Sequence, residues 1–133
     1  MKTSPSYSSK SDLQNYAQEI ELLTDKQKID LTAYIVAAGL MYPRGFQAKL
    51  IWSMAKLGAR LHGSTPQRRY AMTLHRASVG PEFARDTIKQ TCEWMIHGKD
   101  RTDIRSAGGF NADELNSIVK AVDILKSNKI PVV

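Results

Sequence analysis

Between Gly45 and His62 the chain carries apolar residues at helical spacing on two sides at once. Winding at about 100° per residue brings Phe46, Leu50, Met54, Leu57 and Leu61 onto one wide stripe. Ala48, Trp52, Ala55 and Ala59 form a second strip, where small side chains let a neighbouring backbone approach closely. Only a thin line of Lys49, Ser53, Lys56 and Arg60 runs between them. An ordinary surface helix shows a broad polar face. This pattern therefore predicts a helix buried on both apolar flanks, with its cations pointing at something outside.

That helix lies within a stretch, Leu31 to Pro81, that has no Asp or Glu yet carries Arg44, Lys49, Lys56, Arg60, Arg68, Arg69 and Arg76. The segment before it has four Lys against five acids, and the segment after it has eight bases against eight acids. The formal charge of +6 thus comes from the middle of the sequence. A surplus concentrated in segments that look folded points to a surface that meets a polyanion; a solvated basic face is the plainer alternative.

At 133 residues the chain fits one domain able to bury a core without disulfides or metals. Cys92 is the single cysteine, which excludes an internal disulfide framework. No apolar run reaches the roughly 18 residues of a membrane span, and the start of the chain has no apolar signal segment. Residues 1–10, with Lys2, Lys10, one Tyr and four Ser, read as a flexible arm, and residues 11–133 read as a single helical domain.

Capping signals divide that domain. Ser11 to Gln14 reads as a capping box opening a short leading helix to about Leu23, and Thr24 to Gln27 repeats the device. The second helix carries Ile29, Ala33, Val36, Ala37 and Leu40 and is expected to close at Tyr42-Pro43, because proline disfavours helical geometry in the residue before it. Gly63 caps the third helix, and Pro66 starts a fourth with Tyr70, Leu74 and Ala77 inward and Arg69, Thr73 and Arg76 on another face. A fifth, about 81–97, buries Ala84, Ile88, Cys92 and Met95. Lys99 to Phe110 reads as a long loop and Asn111 to Glu114 as a third capping box. The last helix carries Leu115, Ile118, Val119, Val122 and Leu125 and ends at Asn128. No period-2 alternation long enough for a strand is present. The predicted fold is all-α, a bundle of about four main helices behind the arm and the leading helix.

Catalysis needs convergent titratable groups, and the chain offers few. His62, His75 and His97 fall near predicted helix ends, where they complement exposed carbonyls. Paired cysteines, a His-Glu-x-x-His pattern and a Walker-type loop are all missing, and Cys92 sits on an apolar face, so a non-enzymatic protein without a cofactor or metal is expected. Clustered cations would give salt-sensitive, sequence-independent affinity for phosphates, and arginine's planar fork suits two phosphate oxygens at once. Tyr42, Trp52 and Tyr70 are candidates for base stacking, but each occupies a plausible packing position, which leans the reading toward duplex rather than single strand. A helix lying on an anionic membrane should show a wide charged face, which this one lacks. An RNA nucleoprotein and a helical adaptor for acidic partners remain as alternatives.

With its Ser- and Lys-bearing start, the basic small-residue run Trp52 to Arg60, and the closing Asn111 to Leu125, the chain resembles the major coat proteins of filamentous archaeal viruses, of the rudivirus and lipothrixvirus type. The likeness is one of order and size over most of the chain. It implies a dimeric helical capsomer, built with another copy or a paralogous coat protein, that polymerises around double-stranded DNA held in the A form. It further implies a place in the virion, after assembly in the host cytoplasm. Lys49, Lys56, Arg60, Arg68, Arg69 and Arg76 would be the phosphate contacts, joined by Arg44, Lys2 and Lys10 among the candidates.

Overall fold

The structure, a computed structural model, describes residues 10–43, 45–98, 110 and 112–129. Among these it is all-helical, with α1 Lys10–Glu21, α2 Asp25–Ala37, α3 Phe46–His62, α4 Pro66–Arg76, α5 Gly80–Gly98 and α6 Ala112–Lys126. The leading helix is a full element of 12 residues, so the bundle has more members than the expected four. Arg44, residues 1–9 of the expected arm, the 99–109 segment and the Asn111 cap lie outside the described residues, and Lys10, assigned to the arm, is the first residue of α1.

Helix ends follow side-chain chemistry at most boundaries. The Thr24 hydroxyl accepts from the Gln27 N–H at 3.1 Å while the Gln27 side chain accepts from the Thr24 N–H at 3.0 Å, which is the predicted capping box. Gln27 also donates to the Leu125 carbonyl at 3.2 Å, tying the start of α2 to the end of α6. Thr65 caps α4 ahead of Pro66, and Asn128 ends α6 at φ 62°. Two boundaries differ from expectation. Lys10 is already helical, so Ser11 lies inside α1, and a cap must precede the first helical residue. The second helix stops at Ala37, well before Pro43. Gly39 adopts φ 76°, and its N–H and that of Leu40 bond back to the Val36 and Ile35 carbonyls at 3.0 Å each. This left-handed cap terminates the helix before proline can act.

The core has two parts. One gathers α1, α5 and α6 side chains, among them Ile20, Ile88, Met95, Ile118 and Val122, around Leu31 and Ile35 of α2. The other joins Trp52 and Ala55 of α3 with Tyr70 and Leu74 of α4 around Ile29, Ala33 and Val36 of α2. Every residue from Ile29 to Ala33 is buried, so α2 is enclosed on all sides and serves both parts. The inward sets expected for α5 and α6 are the ones buried. Phe110 closes the first part edge-on against Trp94, centroids 5.3 Å apart.

Cys92 sits in that core, its Sγ 3.5 Å from the Ala17 carbonyl. Burial, assisted by Glu21, pushes its thiol up to about 12. The thiolate is the reactive form, so a maleimide at neutral pH should label native protein at least about a thousandfold more slowly than unfolded protein. Fast labelling of the native state would show that the α1–α5 contact opens.

Candidate nucleic-acid interface

Helix α3 packs chiefly on α4 through its small-residue strip. Ala48, Trp52, Ala55 and Ala59 are buried, and the Trp52 ring meets Tyr70 edge-on at 5.2 Å. The other flank is not covered within one copy. Phe46 is 79% exposed, Leu50 49%, Met54 64%, Leu57 56% and Leu61 69%. Within one copy, burial is therefore seen on one side only. A helical wheel fixes the two faces but not which of them the same chain covers.

The seam takes its place beside this ridge. At about 100° per residue, Lys49, Ser53, Lys56 and Arg60 lie roughly 60–120° to one side of the ridge line. All four are exposed. The Lys56 ammonium sits 5.5 Å from the centroid of the Trp52 ring, a cation–π contact that steadies its stem and leaves its N–H donors outward. Lys49, Lys56, Arg60, Arg68, Arg69 and Arg76 form no ion pair with a carboxylate among the described residues. The ion pairs found there are His75 with Asp30, Arg85 with Asp25, and Lys126 with Glu19.

Arg69 of α4 does not join the seam. Arg69 lies across Gly58, where a Cβ would come 3.5 Å from its Cδ. Gly58 falls on the opposite side of the ridge from Lys56, at roughly 80°. Arg69 and Arg76 share one face of α4, and Arg68 points about 100° away from Arg69. The apolar ridge thus separates Arg69 from the seam of Lys49, Lys56 and Arg60. Lys10 opens α1, far along the sequence from both, and Lys2 lies outside the described residues.

Other candidates resolve differently. Trp52 and Tyr70 are buried, so neither offers a face for base stacking, whereas Tyr42 is 70% exposed instead of packed. Burial alone pushes the Tyr70 phenol well above its ordinary range, which keeps it neutral. His75 Nε2 lies 3.2 Å from the buried Asp30 carboxylate, so this histidine meets a side chain on α2 rather than open carbonyls. His62 is the last residue of α3, as expected.

One feature was not found from the sequence. Beside the first turns of α3, Gln47 and Ile51 line a groove with Phe83, Glu82 and Asp86 of α5. It lies on the same side of the ridge as Gly58 and Arg69. Acids at i and i+4 were visible, but their position next to α3 depends on the chain turning back at Gly80. Among the described residues there is no cluster of His, Cys, Asp or Glu able to hold a metal ion, and no helix is long and apolar enough to cross a membrane. Comparison with protein-family profiles, with curated proteins and with solved structures finds no match to this chain.

Proposed function

We propose that this protein is a non-enzymatic coat or nucleocapsid protein that binds the phosphate backbone of double-stranded DNA without sequence preference and polymerises into a helical filament. The observation that carries the reading is the seam of Lys49, Lys56 and Arg60. These cations are exposed, free of carboxylate partners among the described residues, and set in a stretch without acids. Phosphates are the ligands such a line can take in series, each contact releasing condensed counterions. The exposed ridge beside it supports association between copies. Burial of Trp52 and Tyr70 removes two of the three candidate stacking platforms and so favours duplex, with the exposed Tyr42 the candidate left to a single-strand reading. The resemblance to filamentous archaeal virus coats supports the same assignment.

The test is binding to random-sequence duplex and to single strands of equal length across a salt series. The reading expects log Kd to rise linearly with log salt, little dependence on sequence, and tighter binding to duplex. Salt-independent binding, or none at low salt, rejects it.

A further inference from the structure

The ridge of α3 has the spacing of a helix-to-helix seam. Leu50, Met54, Leu57 and Leu61 are separated by four, three and four residues, as a and d positions alternate in a coiled coil. The flank carrying Gly58 is electrically polar along its length. Glu82 and Asp86 border it near the start of α3, and Arg69 borders it near the end. All of the ridge residues are exposed in the single copy.

We propose that the α3 ridge packs on the same ridge of a second copy, antiparallel about a two-fold axis, with Arg69 of each copy meeting Glu82 and Asp86 of the other. An antiparallel pair sets the beginning of one helix beside the end of its mate, so the acidic end of each flank faces the basic end of the other. In a parallel pair the two-fold axis runs along the helices and exchanges the flanks, so Arg69 of each copy would meet the like-charged Arg60 of the other while Lys49 would be drawn out of the seam toward Glu82 and Asp86. Two-fold symmetry satisfies both contacts with one patch. In this register Leu50 faces Leu61 of the second copy and Met54 faces its Leu57. The axis is perpendicular to the plane of the two helices, so it leaves each flank on its own side. Both seams therefore emerge on one face of the dimer, and both Arg69 side chains on the other. The separation of Arg69 from the seam then has a reason, since Arg69 meets the second copy and the seam faces the polyanion. This deepens the reading above by naming how two copies meet, and it rests on that reading only for what the joined seams bind.

Sedimentation of the full chain without nucleic acid tests the proposal. A dimer of twice the 14.9 kDa chain is expected at about 100 µM. Leu57→Glu should raise the dimer Kd roughly a hundredfold while leaving helix content unchanged, and melting too when both proteins are diluted until they are monomeric, because Leu57 is exposed in the single copy. Arg69→Glu alone, or Glu82→Arg with Asp86→Arg, should each raise the Kd about tenfold, and the three changes in one chain should restore it. A wild-type monomer at that concentration overturns the proposal, above all one whose ridge binds anionic vesicles. A dimer insensitive to Leu57→Glu, or reversals that fail to rescue each other, overturns it too. Duplex binding is scored separately, so a dimer that ignores DNA refutes the coat reading alone.

Discussion

Replacing Lys56 and Arg60 together by Glu should weaken duplex binding about a hundredfold at ~100 mM salt and reduce the salt slope by about 1.8 per bound copy. Both residues project from the exposed seam, and neither has a carboxylate partner among the described residues to be stranded by the change. The fold should therefore be left intact, and circular dichroism and melting will check that. Lys120→Glu with Lys129→Glu makes the same change in net charge at exposed positions in α6 and just beyond it. If the seam is the contact, this control should keep nearly all the affinity and slope. Equal losses in the two pairs would mean that binding follows total charge, and the seam would lose its special role.

The largest effect on stability is expected at Gly80. A Cβ built there would fall 1.9 Å from the Leu74 carbonyl oxygen and 2.8 Å from its carbon. These are backbone atoms of a residue whose side chain is fully buried, so neither can yield without disturbing the core. Gly80→Ala should cost roughly 3 kcal/mol or more, lowering the melting temperature by about 10 °C. Ser78→Ala, two residues earlier and exposed, should change stability by less than about 0.5 kcal/mol. A Gly80→Ala protein that melts with the wild type would show that α4 and α5 do not meet this closely. The same corner sets Glu82 and Asp86 beside α3, so a single glycine links the packing of the bundle to the charge pattern of its surface.

Much of this architecture is legible in the sequence, because local chemistry decides it. The Thr24 capping box, the Thr65-Pro66 start, Gly63 and Asn128 each satisfy backbone groups within a few residues. The inward positions of α5 and α6 follow from periodicity alone. What escapes is whatever depends on a distant partner. In α2, Leu31 and Ile35 fall off the stripe of Ile29, Ala33 and Val36 and so hint at enclosure, but which helices cover each side depends on partners distant in sequence. The two flanks of α3 look equally apolar on a wheel, yet only one meets α4. Tyr42 looks like a packing residue, but the early turn at Gly39 leaves it outside. At the candidate site the seam could be read directly from spacing. Its separation from Arg69 could not, since that needs the position of α4 relative to Gly58.

Helix α2 lends side chains to both halves of the interior. Neither half can stand as a module once the other is cut away, for α2 would then present a bare greasy wall to water. Trimming this protein to a minimal fragment therefore cannot be done by dropping the helices on one side of α2. Shortening has to begin at loops and ends, and any engineered insertion belongs where the backbone already faces solvent.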